Sequence, residues 1–128
     1  MATGKDDAAV AEMIDWVRYR IGFYGSTRTY AGVLSLHGWD ELAAKLHQMS
    51  KQGQWKEMAK QIPDELVHTF AAVGTHDQIA GAIEKRFGGV SDAIALAFSQ
   101  DTPAGLAREL VQDVQRIPTA FRGFATAW

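Results

Sequence analysis

Gly74 and Thr75 are the first residues whose types and spacing could support binding chemistry. They precede a predicted helix, and free backbone amides at a helix N-terminus can hold a phosphate or another anion. However, Thr75 and Gln78 have the spacing of a capping box, which uses the same amides, and Asp77 would repel an anion. Capping is therefore the preferred interpretation, and the pair is a weak anion-binding candidate.

A second polar group, Ser99, Gln100 and Asp101, directly follows an apolar run. Residues just beyond the carboxyl end of a strand in a parallel α/β protein commonly belong to substrate-facing loops. The alternative, at least as well supported, is that Asp101 or Thr102 caps the last helix. We therefore treat the three residues as substrate-loop candidates.

Arg28 lies in the break between two predicted helices, close to Tyr24, Ser26 and Tyr30. Aromatic residues at helical spacing are more often core than ligand contacts, and Tyr24 fits the apolar stripe of the first helix. Arg28 is the member of this group that we retain as a weak candidate for ligand binding.

No motif in the sequence predicts a metal site or a catalytic nucleophile. Glu65 and His68 have the three-residue spacing of di-iron bundles, but a single pair lacks the further ligands, so we expect a solvated surface pair. The chain has no cysteine, no G-x-S-x-G, no P-loop and no H-E-x-x-H. We therefore assign no catalytic residue and no metal ligand.

The composition is that of one soluble globular domain of 128 residues, with 47% hydrophobic and 22% charged residues. A net charge of -2 gives no electrostatic reason to expect nucleic acid or an anionic membrane as a partner. No apolar run is long enough to cross a membrane, and the acidic N-terminus does not have the pattern of a signal peptide. We therefore expect a cytoplasmic protein.

The elements that would position these candidates centre on residues 73–98. Thr75 is the predicted N-cap of a helix that begins at His76, carries an apolar stripe and ends at two glycines. Residues 93–98 (A-I-A-L-A-F) then alternate large and small apolar side chains, which predicts the one clear strand, buried on both faces.

The remaining residues predict short helices. The first is capped by Thr3, and helices end at Gly38 and Gly53. A last helix covers residues 102–117. The predicted buried stripe of the first helix consists of Val10, Met13, Ile14, Val17, Ile21 and Tyr24.

Three separated runs resemble the C-terminal third of luciferase-like oxidoreductases, most closely the subgroup that uses the deazaflavin coenzyme F420. They are R-I-G-F-Y-G-S-T-R-T-Y-A-G-V-L-S-L-H-G-W (20–39), S-K-Q-G-Q-W-K-E-M (50–58) and V-G-T-H-D-Q-I (73–79). The resemblance implies an α/β fold, the C-terminal portion of a (β/α)8 TIM barrel. Residues 2–4 would end strand seven, residues 5–70 would form a helical excursion, and the helix–strand unit 73–98 would supply helix seven and strand eight.

This chain departs from the family pattern because everything before strand seven is missing. A complete barrel needs roughly 200 residues or more, so the barrel is incomplete here. The resemblance implies F420 or FMN as cofactor of the complete enzyme, held mainly by the earlier strands, so we expect no cofactor for this chain alone. Gly74, Thr75 and Arg28 are thus only weak cofactor candidates.

Two functions remain open. The chain is either the C-terminal part of a luciferase-like, F420- or flavin-dependent oxidoreductase that is inactive alone, or a small non-enzymatic helical interaction module derived from that family. Because residues 93–98 need a pairing partner, we expect self-association through them or a second chain that supplies the missing strands. An in-frame coding sequence upstream of Met1 would favour the first function.

Overall fold

The computed structural model describes residues 1–98 and 102–119, which are mostly helical with one two-stranded sheet. The chain divides into two compact units, Met1–Thr75 and a second that begins at His76. The expectation of a single domain stays a prediction. In chain order the elements are β1 (Ala2–Gly4), α1 (Asp7–Gly25), a 3-10 turn (Arg28–Tyr30), α2 (Ala31–Ser35), α3 (Asp40–Lys51), α4 (Trp55–Ala59), α5 (Asp64–Phe70), β2 (Val73–Thr75), α6 (Ile79–Phe87) and α7 (Ala104–Gln115).

The sheet of the first unit consists of β1 and β2, paired in parallel. Ala2 lies opposite Val73 and Gly4 lies opposite Thr75. The backbone N–H of Ala2 also donates a hydrogen bond of 2.8 Å to the carbonyl oxygen of Ala72. Parallel strands require a crossover connection, and in this chain helices α1 to α5 form it.

Helix α1 packs directly on β1. Its N-cap is Asp6, whose Oδ1 accepts a hydrogen bond of 2.9 Å from the backbone N–H of Ala9. A Cβ atom added to Gly4 would lie 2.6 Å from Ala9 Cβ and 2.7 Å from the backbone nitrogen of Val10. Only glycine therefore allows the helix to approach the strand this closely.

The core of the first unit lies between α1 and the crossover helices. Leu46 of α3, Met58 of α4, and Leu66 and Val67 of α5 are almost completely buried. Gly22 of α1 faces Met58, because an added Cβ would lie 3.6 Å from the Met58 Cβ atom. The small residue on α1 lets α4 pack closely against it.

The second unit contains α6 and α7. Ile79 and Ile83 of α6 and Leu110 of α7 are buried. Thr119 donates a hydrogen bond of 2.9 Å to the carboxylate of Asp92.

The structure corrects the predicted strand at residues 93–98. This segment has no strand hydrogen bonding, and Ile94 is 39% exposed. A strand is stable only when its backbone groups find a ladder partner, and β1 pairs with Val73–Thr75 instead. The second strand is therefore a three-residue segment that is too short to show an apolar period.

The predicted helix starts also need correction. Helix α6 begins at Ile79 and not at His76, so its N-cap position is Gln78 and not Thr75. Asp6, not Thr3, caps α1, because the helix begins at Asp7 and the Asp6 side chain accepts from the backbone N–H of Ala9. The predicted helix ends are confirmed at Gly38, Gly53 and Gly89, all of which have positive φ.

The close approach at Gly4 leads to a stability prediction. Gly4→Ala should lower the free energy of unfolding by about 1–3 kcal/mol, the range for an overpacked site, because the new methyl group collides with Ala9. Gly32→Ala on α2 is the matched control, since a Cβ there meets nothing within 4 Å. Urea denaturation of both variants measures the difference, and equal effects would contradict the packing described for β1 and α1.

The cap of α1 leads to a second stability prediction. Asp6→Ala should lower the free energy of unfolding by about 1 kcal/mol, because the N–H of Ala9 loses its acceptor. Asp7→Ala, one residue along in the first turn, removes a charge but no capping bond, and should cost only about 0.3 kcal/mol. If thermal melts rank the two variants in the opposite order, Asp6 is not the cap.

Candidate functional site

Arg28 belongs to a hydrogen-bonded chain that ties the 3-10 turn to α3. Its Nε donates to His47 Nε2 at 3.3 Å, and His47 Nδ1 lies 2.9 Å from the carbonyl oxygen of Ser26. A neutral histidine protonated at Nδ1 satisfies both contacts, because it donates to the carbonyl and accepts from the guanidinium. Arg28 thus has a structural partner, and its geometry favours anchoring of the turn over ligand binding.

A cavity of about 300 Å³ opens beside the C-terminal half of α1. Met1, directly before β1, and Ala71, two residues before β2, both line it, so it lies at the N-terminal ends of the two strands. The cavity walls are apolar or aromatic apart from one arginine. The lining residues are Met1, Trp16, Val17, Arg20, Ile21, Tyr24, Gly25, Tyr30, Val33, Leu34, Phe70 and Ala71.

Arg20 is held at the rim of this cavity by aromatic rings. Its guanidinium carbon lies 5.1 Å from the ring centroid of Trp16 and 5.2 Å from that of Tyr24. Arg20 also donates a hydrogen bond of 2.9 Å to the Tyr24 hydroxyl. Cation–π contacts of this kind fix the side chain and leave its remaining donors available.

Gly74 and Thr75 lie at the opposite end of the sheet from the cavity. They end β2, and Thr75 is paired with Gly4, the last residue of β1. Arg28 follows the end of α1, which runs back past the N-terminal ends of the strands. The structure therefore does not bring Arg28 together with Gly74 and Thr75, and the candidates Ser99, Gln100 and Asp101 lie outside the described residues.

Arg18 forms the ion pairs that connect α1 with α5. It contacts the carboxylates of Asp15 and Asp64, beside an open charged cleft. Desolvation acts to lower the pKa of Arg18, but the hydrogen bonds to Asp64 and Asp15 outweigh it and raise the pKa. Arg18 is therefore a permanent cation that ties two helices together, and it cannot serve as a proton donor.

The described residues contain no group of three or more histidine, aspartate or glutamate side chains that could hold a metal ion. In the same part of the chain, no helix is long and apolar enough to span a membrane.

The sequence interpretation of α1 missed its second face. Tyr24 and Met13 were assigned to the buried stripe, but they are 41% and 36% exposed. Trp16, Tyr19 and Phe23 are also largely exposed. The signal was present in the sequence, because these aromatic residues repeat every three or four positions on the side of the helix away from Val10 and Val17.

Comparison with known proteins identifies the family. A family model described as luciferase-like monooxygenase matches residues 1–92. Uncharacterized proteins of Mycobacterium bovis and Mycobacterium tuberculosis are 46% identical to this chain over 98 residues, which is 77% of this chain and 29% of each relative. The chain thus spans less than a third of the length of these relatives, and no solved structure matches it. Because the family model covers well over half of the residues, the chain belongs to the luciferase-like monooxygenase family.

Proposed function

We propose that this chain is the C-terminal part of a luciferase-like oxidoreductase with a (β/α)8 barrel, in which F420 or FMN carries the hydride. The parallel pairing of β1 with β2 is the observation that supports it most directly. Successive parallel strands joined through helices, with a further helix after the second strand, are the repeating pattern of such barrels.

The direction of the strands indicates which candidates belong to the catalytic face. Active sites of (β/α)8 enzymes lie at the carboxyl ends of the strands. In this chain those ends are Gly4 and Thr75, so Gly74 and Thr75 are the better candidates for contact with the cofactor. Arg28 and the aromatic cavity lie toward the other ends of the strands and would be remote from the chemistry.

The described residues do not by themselves fit a flavin or deazaflavin. Two strands of three residues are too short to form the side of a pocket for a planar ring system. The space next to the Gly4 backbone is already filled by Ala9 and Val10. Arg18 is already engaged by two carboxylates, and Arg28 by His47. We therefore propose that the chain binds neither cofactor alone and derive no catalytic step from its residues.

The small size of the sheet supports the need for additional strands. Among the described residues, the sheet consists of two strands, β1 and β2. Parallel sheets are normally covered on both faces and are rarely this small. We propose that a polypeptide carrying the preceding strands completes the sheet, and that assembly takes place in the cytoplasm, where a cysteine-free chain has no need of disulfides.

The second candidate function is a helical interaction module without chemistry. The exposed aromatic residues of α1 favour it, since large exposed apolar patches mark interaction sites. Inspection of the coding sequence upstream of Met1 distinguishes the candidates. Six further βα units in frame would support the enzyme, and a promoter with a ribosome-binding site directly before Met1 would support the module.

The first functional prediction concerns cofactor binding by the isolated chain. Titration with FMN or F420, followed by fluorescence, should show no saturation at low micromolar concentration, because the pocket walls are missing. Stoichiometric binding with a Kd of about 1 μM or below, equivalent to about -8 kcal/mol, would contradict the proposal.

The second functional prediction concerns completion of the barrel. Co-expression of the chain with the part of the Mycobacterium tuberculosis relative that lies outside the matched segment should yield a complex that retains F420 or FMN through gel filtration. Gly4→Val should abolish complex formation, because it displaces α1 from β1, whereas Gly32→Ala should have no effect. A complex that forms equally well with Gly4→Val would show that assembly does not use the sheet.

A further inference from the structure

The aromatic cavity beside the C-terminal half of α1 has a buried apolar floor. Val17, Leu34 and Ala71 line it and are each less than 10% exposed. Of the described residues that line the cavity, none is acidic. Its volume of about 300 Å³ is at the lower end of the range for small-molecule sites. The cavity therefore suits the apolar body of a small ligand.

The outer part of the cavity is lined by half-exposed side chains. Trp16, Tyr24, Tyr30 and Val33 are between 41% and 53% exposed. The rings of Tyr24 and Tyr30 contact each other edge to face, with their centroids 5.5 Å apart. Solvent therefore reaches the cavity, and a ligand can enter it along flat aromatic walls without unfolding of the helices.

Arg20 is the one charged side chain among the described residues that line the cavity. Its guanidinium has five N–H donors, and the bond to the Tyr24 hydroxyl uses one of them. No carboxylate of the described residues forms an ion pair with it. Because the rings of Trp16 and Tyr24 already hold the side chain, an anion that binds to it immobilises little additional chain.

The Tyr24 hydroxyl adds a second donor next to the guanidinium. It accepts the hydrogen bond from Arg20, so its own proton is available for a further acceptor. The two groups are 2.9 Å apart, close enough for one carboxylate to accept from both. A carboxylate also matches the planar fork of arginine. A single positive side chain favours a ligand that carries one negative charge.

From these observations we infer that the aromatic cavity binds a small amphipathic carboxylate. The apolar body occupies the space over Val17 and Leu34, and the carboxylate lies on Arg20 and Tyr24. The inference does not depend on the proposed oxidoreductase, because the cavity lies at the opposite end of the strands from Gly74 and Thr75.

Isothermal titration calorimetry of the full 128-residue chain tests the site, with octanoate as the probe. Wild type should bind one octanoate per chain, with a Kd of about 1 mM or below. Octanamide has the same apolar body without the charge, and should bind at least about tenfold more weakly, because the charge-assisted hydrogen bonds are lost. In NMR spectra, octanoate should shift the amides of residues 16–25 and 30–34 most strongly.

Arg20→Met separates the charge from the cavity itself. Methionine retains an unbranched apolar stem beside Trp16 but has no donor, so octanoate should bind at least about tenfold more weakly and octanamide with unchanged affinity. Arg108→Met removes a cation from an exposed position of α7 and is the matched control. It should leave the affinity for both ligands unchanged.

Val33→Trp tests whether the ligand occupies the cavity, because the larger side chain fills part of it. This variant should weaken the binding of octanoate at least about tenfold. Leu36→Trp is the matched control, since Leu36 is 85% exposed and does not line the cavity, and it should bind like wild type. Circular dichroism melts should show that the variants fold like wild type.

Four results would overturn the inference. They are titrations of wild type with octanoate that do not saturate, equal affinity for octanoate and octanamide, unchanged octanoate binding by Arg20→Met, and amide shifts confined to α6 and α7. The comparison of octanoate with octanamide uses wild type alone, so it decides the matter even when a variant fails to fold.

Discussion

The parallel pairing of β1 with β2 is the constraint on which the first unit depends. Two neighbouring strands that run in the same direction need a connection that returns along the sheet, and helices α1 to α5 form that return. The pairing also fixes the ends of the sheet, with Met1 and Ala71 at one end and Gly4 and Thr75 at the other. Because both strands run in this direction, Gly74 and Thr75 lie at one end of the sheet, and Arg28 and the aromatic cavity lie toward the other end.

Helix α1 connects the strand pair with the helical crossover. Its N-terminal turn is held by the Asp6 cap and by the close approach at Gly4, and its C-terminal half packs on α3 and α4. Arg18 fixes the helix to α5 through Asp64. The same helix then presents aromatic residues on its other side, so one element both stabilises the fold and offers the main exposed apolar surface of the first unit.

The sequence predicted most of the helices and their ends, because caps, glycines and apolar periods are local signals. Positive φ at Gly38 and Gly53 ended helices as expected. The resemblance to the luciferase-like family was confirmed by the family match. The F420 or flavin cofactor and the barrel stay proposals.

The resemblance implied a strand that ends at residues 2–4, and β1 is Ala2–Gly4. The sequence did not predict β2 or its pairing with β1, because strand formation depends on a partner that is distant in the chain. Residues 93–98 have the better strand pattern, yet Val73–Thr75 pairs with β1 because its position beside Ala2–Gly4 supplies the ladder. Helix α6 begins at Ile79, four residues after Thr75, so Thr75 is not at its N-cap position. The exposed face of α1 was missed for a related reason, since local periodicity cannot tell which of two apolar faces the rest of the chain will cover.

The parallel strand pair can be tested directly by NMR spectroscopy of the isolated chain. The structure predicts nuclear Overhauser contacts between the backbone protons of residues 2–4 and 73–75 in parallel register, with rapid amide exchange at residues 93–98. Contacts between residues 2–4 and 93–98, with the amides of 93–98 protected to the limit of global unfolding, would contradict this account.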